Sequence, residues 1–246
     1  MITKITSKQN EKIKYIAQLN NASFRKEEKL FIVEGYHLVD MALAKKCVKT
    51  IVTLNPYKDV DDEIEQLIVT DEILSKLSYT KTPQGILAVC YMNENVDMNL
   101  GDKVLYLDDI QDPGNLGTII RTALAFSFND IILSPNCCSI YNSKAIAASQ
   151  GGIFYTNFIY GDVSTLSNLK TDGYQIVVTN LRNSVSLKEY KPEKRQVIVM
   201  GNEARGVCEE IIEIASINVR IDIRSIDSLN VGIAAGIMMN DAIERS

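Results

Sequence analysis

From residue 103 onward the chain repeats one pattern: a short β-rich run, most often continuously apolar, a polar turn, and a stretch with helical spacing. The runs are VLYLDD, IILS, GIFYTNFIY, QIVVTN, VIVMG and INVRIDI, and the helical stretches cover 115–127, 142–150, 164–171, 207–215 and about 229–244. Strands with one wet face alternate apolar and polar residues, whereas continuous apolar strands are buried on both faces. Separated by helices, they predict a mostly parallel sheet covered on both sides, an α/β fold. Such sheets bind ligands beyond the carboxyl ends of their strands. The polar segments after VLYL, VIVM and INVRI are therefore the places to look for chemistry.

Upstream, the spacing predicts a helix near 8–20, strand Leu30–Glu34, helix Tyr36–Lys45, strand Val48–Leu54, helices near 60–66 and 71–78, and strand Gly85–Tyr91. That is a small α/β unit of its own. The stretch MNENVDMNLGD (92–102) is polar and aperiodic and reads as a linker. The expected domains are 1–95 and 96–246, and no internal repeat is visible.

Composition removes several classes of function. The five cysteines are odd in number, scattered, and include no Cys-x-x-Cys pair, so neither a disulfide framework nor a zinc site is signalled, and no metal is expected. The single histidine, His37, falls in a helical pattern, VEGYHLVDMAL, where a structural or surface role is expected. Any His-dependent triad or multi-His metal site would have to pass through it. The start lacks the apolar core of a signal peptide and no stretch approaches the ~18 apolar residues of a membrane span, so a cytoplasmic protein is expected. A net charge of −5 is unlike the basic footprint of nucleic-acid binding. Residues 1–50, however, hold ten Lys and Arg against five Asp and Glu. Lys8, Lys12, Lys14, Arg25 and Lys26 are accordingly the candidate contacts to an RNA backbone, the alternative being that they solvate a surface.

Three loops carry candidate chemistry. In YLDDIQDPGNLGTIIRTALAF (106–126) a strand passes through a Pro-Gly turn into a helix, with Asn115 a candidate N-cap and Arg121 further along, placed to reach a phosphate or acidic partner. In VIVMGNEARGVCEEI (197–211) Gly201 and Gly206 bracket Glu203 at a strand's carboxyl end. In INVRIDIRSIDSLNVGIAAGIMMND (217–241) Ser228 or Asn230 can cap the final helix, leaving Leu229 backbone groups in the preceding loop. Gly232 and Gly236 make a flat stripe on that helix, suited to close packing in the chain or against a second subunit. Each loop alone is compatible with an ordinary capped helix or turn.

In order and wording the three loops together resemble the signature motifs of the SpoU/TrmH family, in the SPOUT superfamily. They are Asn115–Gly117–Arg121, Gly201–Asn202–Glu203 and Ser228–Leu229–Asn230. The stretches KLFIVEGYHLVDMAL and SKLSYTKTPQGILAV (75–89) look like the small substrate-binding domain often fused ahead of the catalytic one. The resemblance implies an RNA 2′-O-ribose methyltransferase with a small N-terminal α/β RNA-binding domain and an α/β-knot catalytic domain carrying a trefoil knot. It also implies a homodimer that uses S-adenosyl-L-methionine. Asn115, Arg121, Glu203, Ser228 and Asn230 are the implied catalytic set. The implied cofactor contacts are Thr179, Asn180, Leu181, Met200, Gly201, Asn202, Ile221, Ile223, Ser228 and Leu229. Three positions depart from the family's wording: Ser127 where glycine is common, Ala147 where arginine is frequent, and Asp222 where proline usually stands.

Ribosomal RNA is the expected substrate. A transfer-RNA ribose methyltransferase and a non-catalytic RNA-binding or ribosome-assembly protein are the alternatives. A dinucleotide oxidoreductase is compatible with the fold class, but the chain has no G-x-G-x-x-G.

Overall fold

The computed structural model describes residues 1–58, 60–93 and 96–245. They form two compact units, one of 1–94 with 141–154, the other of 95–140 with 155–246. The boundary expected at 95/96 falls on Asn95, outside the described residues. The chain builds β1 (Ile2–Ile5), α1 (Glu11–Gln18), α2 (Ala22–Glu28), β2 (Leu30–Glu34), α3 (Tyr36–Ala44), β3 (Val48–Thr53), β4 (Glu65–Val69), α4 (Asp71–Leu77) and β5 (Ile86–Tyr91) in the first unit. It then enters the second with β6 (Lys103–Leu107), α5 (Pro113–Ala125) and β7 (Asp130–Leu133). α6 (Ser143–Ser149) and a 3₁₀ turn at Gly152–Phe154 belong to the first unit again. β8 (Asn157–Tyr160), α7 (Val163–Thr171), β9 (Gln175–Thr179), β10 (Val185–Ser186), β11 (Gln196–Met200), α8 (Glu209–Ile214), β12 (Ile217–Arg220) and α9 (Val231–Glu244) complete the second.

The first unit is a five-stranded sheet in the order β1-β4-β3-β5-β2. β1, β4 and β3 run parallel, and β5 pairs antiparallel with both β3 and β2. Ile13 and Ile16 of α1 and Ile73, Leu74 and Leu77 of α4 pack with Ile32, Val52, Leu67 and Val89 of the sheet. The excursion 141–154 is held by Phe31 of β2, whose ring lies 4.6 Å from Tyr141 and 6.3 Å from Phe154. Gly151, at φ +88°, is pressed against Met41, where a Cβ would lie 2.2 Å from the sulfur. Only glycine combines that φ with that approach.

The second unit is a seven-stranded sheet in the order β10-β12-β9-β11-β6-β7-β8, every neighbouring pair parallel. β7 and β11 are buried at every residue, as the apolar runs after their opening Asp130 and Gln196 predict. A core of Val104, Tyr106, Ile176, Val178, Val197 and Val199 is closed by Leu166 of α7 and Ile211 of α8.

Three local departures from the sequence reading have identifiable reasons. Residues 60–66 are not helical: the acidic run suggests a helix start, but Gln66–Val69 pairs with β1 and Glu65–Ile68 with β3, and two ladders outweigh a weak propensity. β1 is too short to be read from its pattern and exists through β4. GIFYTNFIY divides into a 3₁₀ turn and β8 just after Gly151.

Candidate active site

The site is assembled at the carboxyl ends of β6 and β11 and at the start of α9. β6 ends at Leu107, and α5 begins after five intervening residues with Pro113 at its first position. The N-cap is Asp112, whose Oδ1 accepts from the Asn115 backbone N–H at 2.8 Å. Asn115 therefore sits one turn inside the helix and is not its cap. The Pro-Gly that follows Asp112 explains the shift, since proline favours the first helical position and lacks the N–H a cap would bind there. With capping done by Asp112, the Asn115 side chain is left for other partners.

After β11 the chain makes a tight hairpin. Asn202 and Gly206 exchange both backbone hydrogen bonds, at 3.0 and 2.9 Å, and Gly206 has φ +74°. At Gly201 a Cβ would stand 2.3 Å from Gly206 C and Val207 N, so this glycine is required by its own hairpin. Asn202 ties the turn together: Oδ1 accepts from Ala204 and Arg205 N–H, and Nδ2 donates to Asp109 O at 2.8 Å. Asp108 fastens the base of the loop, its N–H donating to Met200 O and its Oδ2 accepting from Cys208 N–H, both at 2.8 Å. An Arg205–Asp109 ion pair flanks the turn.

The hairpin aims Glu203 at Asn115, whose Nδ2 donates to Glu203 Oε1 at 2.8 Å. Asn230, the N-cap of α9, donates from Nδ2 to Asn115 Oδ1 at 2.9 Å. The direction of this relay is fixed by its anchor. Asn230 Oδ1 accepts from Gly232 and Ile233 N–H, so its amide nitrogen must face Asn115. Asn115 must then present oxygen to Asn230 and nitrogen to Glu203. One residue of each sequence motif thus enters a single chain of donors ending on a carboxylate.

The remaining expected residues take other positions. Arg121 is exposed on α5, and among the described residues no hydrogen bond or ion pair engages it. Ser228 is exposed, and the capping role it shared in expectation with Asn230 falls to Asn230. Residues 221–229, including Ile221, Ile223 and Leu229, are neither helix nor strand, and none of their backbone groups enters a backbone–backbone hydrogen bond among the described residues. Asp222 accepts from Ser186 Oγ and pairs with Arg220 at 3.3 Å. Thr179 Oγ1 donates to Val199 O and Asn180 N–H to Val219 O, while Leu181 is 63% exposed. In the first unit Lys8, Lys12 and Lys14 are paired with Glu72, Glu65 and Glu11, and Lys26 is exposed. Arg25 departs from expectation: it is 8% exposed and gives Nη1 to Leu19 O and Asn20 O, where it clamps the end of α1.

Residues 102–240 match the SpoU rRNA Methylase family, a span that contains every member of the relay. The chain belongs to the SpoU rRNA methylase family. Residues 10–88 match the MRM3-like substrate binding domain. The chain is 32% identical over 241 residues to the 23S rRNA (guanosine(2553)-2′-O)-methyltransferase RlmP of Bacillus subtilis, covering 96% of this chain and 97% of that one. Among solved structures, an AdoMet-bound rRNA methyltransferase from Sinorhizobium meliloti superposes with TM-score 0.90 at 29% identity, covering 98% and 97% of the two chains. A putative RNA methyltransferase of the TrmH family from Porphyromonas gingivalis gives 0.86 at 27%, covering 95% and 97%.

For this SpoU-family chain the loop motifs name the relay but miss the residues that hold it. Asp108, Asp109 and Asp112 position both loops, and the signal was legible: paired carboxylates at a strand end and an aspartate just ahead of Pro-Gly. Cys138 was also missed. Burial, followed by the nearby Cys137, Asp112 and Glu203, pushes its thiol up to about 12, so it stays protonated and is no nucleophile at neutral pH. The described residues contain no group of three or more His, Cys, Asp or Glu able to hold a metal ion. What the arrangement can do is position donors and acceptors around a neutral nucleophile.

Proposed function

We propose that this chain transfers a methyl group from S-adenosylmethionine to a ribose 2′-hydroxyl of ribosomal RNA in the cytoplasm. The observation that carries the reading is the Asn230–Asn115–Glu203 relay, which draws on all three motifs of a chain that belongs to the SpoU rRNA methylase family. The loops around 179–181, 200–202 and 221–229 are the cofactor contacts in this reading. The last of these fits an adenosine, whose edges are read by backbone N–H and C=O, because its own backbone groups are not spent on one another. When bound, S-adenosylmethionine supplies an electrophilic methyl on a sulfonium.

The residues then have separable tasks. Asn115 and Asn230 hold the ends of α5 and α9 in register, and Glu203 keeps a carboxylate oxygen beyond its bond to Asn115 for a substrate hydroxyl. Arg121, with no partner to surrender, holds an RNA phosphate and stabilises the developing oxyanion. A guanidinium is a poor proton acceptor, so it is not the base. Ser228 lies with Leu229 in the cofactor loop and orients substrate or cofactor there.

The first unit supplies RNA affinity through Lys8, Lys12, Lys14 and Lys26, three of which exchange a carboxylate for phosphate. A homodimer forms across α5 and α9, supported by a groove of about 520 Å³ lined by Thr118, Thr122, Gly232, Ile233, Gly236 and Ile237. Ile233 is 56% exposed there. Ile233→Glu should give a folded monomer in sedimentation, and an unchanged dimer would place the interface elsewhere. The trefoil knot belongs to the same proposal through family membership.

The decisive experiment maps 2′-O-methyl groups in total RNA from cells with and without the gene, alongside methylation of unmodified transcripts by the purified protein. Loss of one ribosomal site is expected. A lost site in transfer RNA instead would move the substrate, and no lost site with no binding of S-adenosylmethionine would overturn the activity.

A further inference from the structure

The first unit contains a recess that includes no member of the relay. Between α1 and strands β3, β4 and β5 lies a space of about 300 Å³, with Ile16, Leu67 and Val89 as its apolar floor and Tyr15, Lys49, Lys12, Glu11 and Glu65 among its walls, the two glutamates paired with Lys14 and Lys12. Lys49 is the extra residue of a β-bulge, since Val48 and Thr50 face the consecutive residues Cys90 and Val89. Bulges re-aim a side chain. Here the Nζ of Lys49 stands 5.8 Å from the ring centroids of both Tyr15 and Tyr91.

The walls are set rigidly. Tyr15 packs edge-on against Phe24, centroids 5.4 Å apart, and its hydroxyl donates to Glu28. Burial and that bond push the hydroxyl up to about 12, so the ring remains neutral. Tyr91, at the end of β5 beside the recess, is 52% exposed and meets Lys49 at its ring. Lys12, Lys8 and Lys14 are neutralised by carboxylates, but among the described residues Lys49 has none within ion-pair distance.

We propose that this recess takes an unpaired nucleobase of the RNA substrate, other than the methylated nucleotide, with Tyr15 and Tyr91 against the base and Lys49 on the adjoining phosphate. The proposal rests on the reading of the chain as an RNA methyltransferase. Aromatic faces beside an unneutralised lysine supply the two elements that hold single-stranded RNA, stacking and charge. One unneutralised lysine matches the single charge of a phosphodiester, whereas a free nucleotide brings a dianion. A peptide strand is a poor occupant, because β3, β4 and β5 are interior strands and leave no edge to extend.

The test uses the full chain with a hexauridylate carrying 2-aminopurine at one internal position, an abasic hexamer of the same length, and adenosine monophosphate. The wild type should bind the first and quench its fluorescence. Lys49→Gln and Tyr91→Leu, both surface changes, should weaken that binding on the order of tenfold. They should also raise the KM for RNA methylation more than they lower kcat, and leave S-adenosylmethionine binding unchanged. Equal affinity for the abasic hexamer, equal affinity for adenosine monophosphate, or variants with wild-type KM would each overturn the assignment. Wild-type protein that methylates RNA with an unaffected pair of variants fails the recess alone, while wild-type protein that methylates no RNA fails the underlying reading.

Discussion

Replacing Asn115 by Asp tests whether the relay is part of the chemistry. The change keeps size and shape but turns the nitrogen that donates to Glu203 at 2.8 Å into an oxygen. Two carboxylate oxygens then face each other. At that separation two like charges repel by ~1.5 kcal/mol in bulk water and ~6 kcal/mol at an effective dielectric of 20. Glu203 is exposed, so the lower figure is the better guide. A repulsion of ~1.5 kcal/mol raises the upper pKa of the pair by about one unit above the ordinary carboxylate range. Because that pKa is raised, the proton-bridged relay is present below it and lost as pH rises through it. The variant's deficit relative to wild type should therefore be smallest at about pH 4.5, reach its full size by about pH 7 and hold there to pH 8.5. There the broken relay should cost on the order of tenfold in rate for every ~1.4 kcal/mol. Single-turnover transfer of a labelled methyl group to unmodified ribosomal RNA, at saturating cofactor and across that pH range, measures it. Asn115→Ala, which leaves two exposed partners to water, should cost only about 1 kcal/mol of stability and show no such pH trend. An Asp variant with wild-type rate at pH 8.5, or a deficit independent of pH, would refute the reasoning.

Arg121→Lys should retain activity measurably above Arg121→Ala, with a gap to wild type that persists from pH 7 to 10, since the charge survives and the planar fork does not. Recovery of the lysine variant at high pH would instead identify a base. Gly201→Ala should lower stability by ~1–3 kcal/mol through overpacking and weaken S-adenosylmethionine binding, read by thermal unfolding and calorimetry, and a neutral result would mean the hairpin can open freely. Arg25→Gln should lower unfolding free energy by ~1–3 kcal/mol, because charged donors to two carbonyls are lost, while leaving the salt dependence of RNA binding unchanged. A flatter salt slope would restore Arg25 to the phosphate contacts.

The parallel sheet of the second unit was legible because β6, β7, β9 and β11 each carry a continuous run of three or four apolar residues, separated by helical patterns. Asn115, Glu203 and Asn230 were legible as motif members, but their hydrogen-bonded order was not. That order depends on Asp112 displacing Asn115 from the cap, a choice between two competent residues three positions apart. The lysines of α1 and its flanks read as a free basic face because their partners Glu65 and Glu72 are distant in sequence. Charge counts by segment cannot register pairing across a fold. Arg25 reads as part of that face for a related reason, since its burial is decided by the carbonyls left open at the end of α1. Lys49, by contrast, has no distinguishing neighbours in sequence, and only the bulge gives it a direction.

The return of residues 141–154 to the first unit has a consequence for biosynthesis. Phe31, already placed in β2, waits for Tyr141 and Phe154, and the chain between Glu94 and Tyr141 must leave the ribosome before they arrive. At 5–20 residues per second those 46 residues take roughly 2–9 s. Through that interval the nascent first unit carries an uncovered aromatic surface on an otherwise complete sheet. A cut at residue 95 makes the interval permanent for one fragment and leaves the other with a stranded helix. Neither half is then a faithful stand-in for its part of the intact enzyme.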